Sequence, residues 1–394
     1  MKILLISPYF APFTGVGGLR MTSLTAYLQK AGEDVTVLKL ADTCYDADLA
    51  NGPHLPGPSY AEFTPSKDGK IPEKTMYPVI DRLCSETAFD CCLVSLGPFF
   101  TVKPAVYIKE HYHIPLIVDY RDLWLYDPRE RKTLRSILGH KKTQILYCGQ
   151  EVQLMKACSA FVTCTPRSLQ IMERHYPFLK EKSLCIFNGY DMEPPREAEP
   201  ASQEDGGAIR IFVLGKLSYY TSEGAETLFR AASALSHQGR LIHIYHAGSI
   251  ENIQPILEKS GLPSEQYHEL GPLPYDQAME AAKAAHICSA IISYTTGLGT
   301  KIFDYIYLNK PIIAYAPPGS EFEETLKGAE NAYVCQTAPQ MEAAIEAIIR
   351  DGGYQLTKSL EFRQRFSREA QNQIYHQLLR KTAGQHLEEK EAPN

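Results

Sequence analysis

The sequence predicts an α/β protein made of two doubly wound, parallel-sheet domains. Three observations carry this. Short apolar runs alternate with helical stretches through the first half of the chain, a second such series fills the second half, and a polar, proline-rich segment separates them. The length of 394 residues fits two domains at roughly 100–200 residues each.

The elements follow in order. Lys2–Ser7 reads as a first strand, followed by a glycine-containing loop and a helical stretch, Leu19–Ala31, that stops at Gly32. Asp34–Leu40, Cys91–Ser95, Leu116–Asp119, Ala160–Thr163 and Leu184–Phe187 continue the strand series. These residues form a first domain, 1–193. Residues 194–207 contain nothing apolar larger than alanine or proline and read as the linker. The second domain, 208–359, holds Ile209–Leu214, Leu241–Tyr245, His268–Leu270, Ile287–Ile292 and Pro311–Ala314 as strands. Ala332–Val334 is a further candidate, and Met341–Arg350 reads as a helix. Leu360–Lys381 reads as one long last helix, and the charged residues 382–394 as a disordered tail. Right-handed crossovers gather the loops after each strand on one edge of its sheet, where ligands of such folds bind. The expected site is therefore a cleft between the two facing edges.

Composition narrows the function. Hydrophobic residues at 44% and charged residues at 22% exclude collagen-like, disordered and disulfide-stapled classes. A net charge of −6 gives no global pull toward nucleic acid. No stretch reaches the ~20 apolar residues of a membrane span, and the start lacks the features of a signal peptide, so a cytoplasmic protein is expected. Ten scattered cysteines form no CxxC pair and read as reduced thiols. Twelve histidines show no ligand spacing, so no metal is expected.

Five segments stand at strand ends. Gly15, Gly17 and Gly18 follow the first strand and open a helix, giving backbone access and an anion-attracting helix start, or a plain turn. Asp119, Arg121 and Asp122 close a buried apolar strand, as cleft residues or as a structural ion pair. Asn188-Gly189 is a turn signal. Gly215-Lys216 ends the first strand of the second domain, and Lys216 reads equally as a phosphate partner or a surface lysine. Gly299-Thr300-Lys301 precedes a helix running to about Leu308 and suits a phosphate, with Asp304 one turn further in, in reach of a ribose. Neither the GxGxxG nor the P-loop spacing is present. One more segment is basic and amphipathic. Arg129, Arg131, Lys132, Arg135, Lys141 and Lys142 surround Leu134, Ile137 and Leu138 across 129–142. It reads as a solvated helix face or as a contact to anionic lipid at the inner face of a membrane.

Taken in order, these segments resemble the GT-B glycosyltransferases of glycosyltransferase family 4. The likeness lies in Ser7–Pro12 with Gly15–Arg20, in Gly32–Leu38, in the Asp119–Trp124 run, in Asn188–Asp191, and in Thr300–Tyr305 with Lys310–Ala314. It covers about residues 1–380. The resemblance implies two Rossmann-like domains facing across a cleft, with the last helix crossing back onto the first. It implies a metal-independent, retaining transfer of a hexosyl group from a nucleotide diphosphate-sugar, most simply a UDP-sugar, to an acceptor hydroxyl in glycan, glycolipid or metabolite synthesis. The donor is a substrate, so no cofactor is implied. The acceptor is a sugar, a lipid-linked molecule or a small molecule, and no nucleic acid is involved. Gly215, Lys216, Gly299, Thr300 and Lys301 then lie at the diphosphate, Asp304 at the ribose, and Gly17 and Gly18 on the opposite side. Asp119, Arg121 and Asp122 face the sugar and acceptor. The sequence departs from the family at two places. The E-x7-E pair falls on Thr296 and Asp304, and Glu223 stands where a lysine is usual. A nucleotide-sugar epimerase and a non-catalytic nucleotide-sugar-binding subunit are the alternatives.

Overall fold

A computed structural model describes residues 1–65, 72–127, 133–191, 207–219, 221–350 and 359–391. The expected linker lies outside these residues except for Gly207, and so do Arg129, Arg131 and Lys132 of the basic segment. The chain divides into two compact units, Met1–Asp191 with Arg368–Asn394, and Met192–Ser367.

The first unit carries strands β1 (Lys2–Ile6), β2 (Asp34–Leu40), β3 (Ser59–Phe63), β4 (Cys91–Leu96), β5 (Leu116–Tyr120), β6 (Ala160–Thr163) and β7 (Ser183–Cys185). They form one parallel sheet in the order β3-β2-β1-β4-β5-β6-β7. Strand β4 is buried along its whole length, as expected of a parallel strand covered on both faces. Alternate side chains supply two cores. Leu4, Ile6, Val94 and Val118 meet Met76, Ile80, Leu154 and Met155 on one face. Ile3, Leu5, Leu93 and Ile117 meet Met21, Leu24, Tyr375 and Leu379 on the other. Edge strand β3 is absent from the sequence reading, because only Ala61 and Phe63 of its five residues are buried.

The second unit carries β8 (Ile209–Leu214), β9 (Ile242–Ala247), β10 (Tyr267–Gly271), β11 (Ile287–Ile291), β12 (Ile312–Tyr315) and β13 (Ala332–Cys335). Their order is β10-β9-β8-β11-β12-β13, again all parallel. Ile211, Val213 and Ile244 pack there against Leu228, Phe229, Met341 and Ile345. In both sheets the order reverses beside the first strand of the unit, β1 or β8, which creates the switch-point crevice of doubly wound folds.

The last helix differs from expectation. It is two helices, Leu360–Gln364 and Arg368–Glu391. Buried Phe366 packs on Phe303 and Phe362 in the second unit. Arg368 starts a new helix in the first unit, where its N–H donates to the Tyr190 carbonyl at 2.7 Å and its guanidinium pairs with Asp191. The Asn188–Asp191 turn thus anchors the second of these helices. The tail also differs, since the helix continues to Glu391 through good helix formers, and only 392–394 lie outside the described residues. Among the described residues no helix is long and apolar enough to cross a membrane.

Candidate functional site

In the second unit the site grows from the end of β8. Gly215 holds a left-handed φ of +86°. Its N–H donates to the Ala247 carbonyl at 2.5 Å, and its own carbonyl accepts from His246 Nε2 at 2.6 Å. That carbonyl can only accept, so Nε2 carries the proton, and the Tyr267 hydroxyl donates to Nδ1 at 3.0 Å. Two glycines are required here. A Cβ on Gly248 would overlap the Gly215 carbonyl, and a Cβ on Gly215 would overlap the Lys301 ammonium.

Lys301 therefore lies directly over the bare backbone at Gly215. Burial, reinforced by the neighbouring charge of Lys216, lowers its pKa to about 8. The Lys216 ammonium stands 3.5 Å above the Tyr219 ring. Beneath this loop, Glu251 accepts from the Leu217 N–H at 2.9 Å and from the Ser218 N–H and hydroxyl at 2.5 Å each. Burial raises the pKa of Glu251, but these three donors outweigh it and hold the group below its usual range. The loop is thus braced from below. Gly299, with φ +56°, and Thr300 lead into the helix Lys301–Tyr307. Asp304 accepts from the Tyr275 hydroxyl at 2.9 Å. Tyr305 ties β8 to β11, donating to the Ser289 carbonyl at 3.1 Å and accepting from the Leu214 N–H at 3.0 Å. Glu223 sits in the first turn of the helix Ser222–His237 and hydrogen-bonds Tyr315.

The first unit has a different character. Gly17 and Gly18 belong to the first turn of the helix Val16–Lys30, not to the loop before it. A Cβ on Gly18 would press the Phe13 carbonyl at 3.1 Å, and one on Gly17 the Tyr9 ring at 3.3 Å, so both glycines permit close packing. Arg121 donates to the Gly17 carbonyl at 2.7 Å and the Gly97 carbonyl at 2.9 Å. It bridges the first turn of the helix after β1 and the loop after β4. Asp119 is fully buried. Its Oδ1 accepts from Tyr375 at 2.7 Å and from Arg20 at 3.3 Å. Arg20 also donates to the carbonyls of Ile186 and Phe187 at 2.7 and 2.6 Å. Burial opposes the charge on Arg20, and the adjacent Asp119 carboxylate more than restores it. Asp122 is exposed, with its carboxylate near Gly97.

The sequence matches no family model and no curated protein. Solved structures match across nearly the whole chain. Sucrose-phosphate synthase from Thermosynechococcus elongatus superimposes with a TM-score of 0.68 at 16% identity, covering 97% of this chain and 98% of that one. Anabaena HepE in complex with UDP gives 0.67 at 15%, covering 97% and 100%. A glycosyltransferase from Rickettsia africae gives 0.68 at 12%, covering 97% and 98%. The chain has the GT-B fold.

On that GT-B framework the structure brings Gly215, Lys216 and Lys301 together. It sets Asp304 one turn away against Tyr275, and it separates Asp119 from Asp122. Sequence reasoning missed His246, Gly248 and Glu251. The signal was available, because all three follow or end a strand beside β8, where a strand-end residue meets the switch point. It also missed Tyr375 as the partner of Asp119, for which nothing local gives a sign.

Proposed function

We propose that the protein is a retaining glycosyltransferase that moves a sugar from a UDP-sugar to an acceptor hydroxyl. The observation that carries this is Lys301, which lies over the side-chain-free backbone of Gly215 within the electrostatic reach of Lys216. A partly buried lysine in the field of a second lysine is a cation site whose energy improves when a multiply charged anion arrives. A leaving nucleoside diphosphate is such an anion, and its charge grows as the glycosyl bond breaks. Fixed cations then stabilise the transition state more than the ground state. Asp304 suits a ribose hydroxyl, with Tyr275 orienting its carboxylate. The fold supports the class, and the HepE structure with UDP supports the choice of base.

The two lysines supply positive charge without a metal, so activity is expected to survive chelation. Asp122, the exposed acid at the end of β5, is the candidate for an acceptor contact in the first unit. Arg121 and Asp119 shape that edge from behind, and no nucleophile is assigned. The absence of an acid at Thr296 favours one second reading, a subunit that binds nucleotide-sugars without turnover.

The test is a thermal-shift screen of the full chain over nucleotides and nucleotide-sugars. A ligand at about 100 times its dissociation constant adds roughly 2.7 kcal/mol of stability. A shift with UDP and UDP-sugars is expected, and no shift with any nucleotide defeats the reading. Donor turnover then separates transferase from binding subunit, and a changed sugar on the nucleotide without acceptor identifies an epimerase.

A further inference from the structure

The helix Leu134–Ala157 has two halves of opposite character. Its C-terminal half is buried through Glu151, Leu154 and Met155. Its N-terminal half stands out from the unit with apolar side chains in water. Leu134 is 72% exposed, Leu138 57%, Ile145 78% and Leu146 57%. Leu134, Leu138 and Ile145 fall at i, i+4 and i+11, which is a single stripe, with Lys141 on the same stripe at i+7. This stripe lies about a third of a turn round the helix from the buried residues. Arg135 and Lys142 flank it, and all three cations are exposed. The sequence has no Asp or Glu from Leu134 to Gln150, in a chain whose net charge is −6.

This arrangement does not come from a frayed end. Thr133 and Ser136 form a capping box that starts the helix at Leu134, with the Ser136 N–H donating to Thr133 Oγ1 at 3.2 Å. The inner side is fixed as well. Gln144 donates to the Leu125 carbonyl at 2.6 Å, and the Tyr147 ring meets Trp124, itself stacked on Phe99. The apolar stripe is preformed, and no packing partner covers it among the described residues.

We propose that this half-helix is a docking surface for an anionic lipid bilayer. An apolar stripe with cations interleaved and no acid suits the boundary between headgroups and acyl chains. A second copy of the chain suits it poorly, because a two-fold contact would set Arg135, Lys141 and Lys142 against their own images. The inference stands independently of the donor reading. It does add that the acceptor edge of the first unit, reached through Trp124 and Leu125, lies next to the surface that meets the bilayer.

The test is flotation of the full chain with phosphatidylcholine vesicles, with and without phosphatidylglycerol, at low and high salt. Binding is expected only with phosphatidylglycerol and weaker at high salt. The triple variant Arg135→Gln, Lys141→Gln, Lys142→Gln is expected to bind about 100-fold more weakly. Leu138→Glu with Ile145→Glu is expected to abolish binding. All these side chains are exposed, so the melting temperature and the UDP response stay unchanged and report intact folding. Absence of vesicle binding, equal binding to phosphatidylcholine alone, or wild-type binding by the variants overturns the proposal. A dimer that Ile145→Glu disperses, with no vesicle binding, overturns it in favour of a second copy.

Discussion

Nucleotide affinity is expected to fall as pH rises through the titration of Lys301. With a pKa of about 8, Lys301 is about nine-tenths charged at pH 7 and about one-tenth charged at pH 9. If the charged form binds the diphosphate, the UDP dissociation constant rises about tenfold over that interval, or about 1.4 kcal/mol. The phosphates contribute little to this slope, because their second ionisations near 6 are complete there. Lys301→Gln removes a charge-assisted contact worth about 1.5–3 kcal/mol and should leave a flat profile. Titration calorimetry of both proteins at pH 7, 8 and 9 measures this. A flat wild-type profile, or the same fall in Lys301→Gln, refutes the assignment. The unliganded protein supplies a check of opposite sign. Lys301 is harder to protonate folded than unfolded, so between about pH 8 and pH 10.4 the unfolded state binds more protons and stability rises with pH. Lys301→Gln should remove that rise.

Two further predictions concern the scaffold. Gly248→Ala forces a Cβ into the Gly215 carbonyl and should destabilise the protein by about 1–3 kcal/mol in urea titrations, whereas Gly139→Ala, in open space on a helix, should stabilise it by about 0.5–1 kcal/mol. Glu33 loses hydration on burial, but bonds from the Met1 ammonium, His376 and Arg380 outweigh this and hold its pKa at about 2. Against about 4.3 unfolded, the carboxylate contributes up to about 3 kcal/mol above pH 5, and this is lost as pH falls toward 2. Glu33→Gln should therefore cost more at pH 7 than at pH 3, and an equal cost at both would contradict the geometry.

The fold was legible because its signals are local. Strands β2, β6 and β8 match the residues read from apolar runs, and both sheets are parallel as the strand–helix alternation implies. What escaped was set by distant parts of the chain. β3 has too few buried residues to announce itself, and its partner β2 decides it. Sequence placed Asp119, Arg121 and Asp122 correctly at a strand end, yet could not tell them apart. Arg20 and Tyr375, 99 and 256 residues away, bury the first; two glycine carbonyls hold the second. The single last helix was misread for the same reason. Its pattern is continuous through Phe366, and only the separate anchoring of Phe366 and Arg368 breaks it.

The same contrast bears on which charges are available for chemistry. Arg20 and Arg121 point at backbone carbonyls and a buried carboxylate, so their charge is already committed to joining the strand ends of the first unit. Lys301 is in the reverse situation, because burial depresses its pKa and the charge of Lys216 adds to that, against the opposing pull of Asp304 and Glu251. A guanidinium locked by partners keeps its proton and builds rigid loops. An ammonium left beside another ammonium over bare backbone gains from an incoming anion. What each cation already bonds to therefore separates the two kinds where residue type does not. On the proposed function, anion binding belongs to the loops after β8 and β11, and scaffolding to those after β1, β4 and β5.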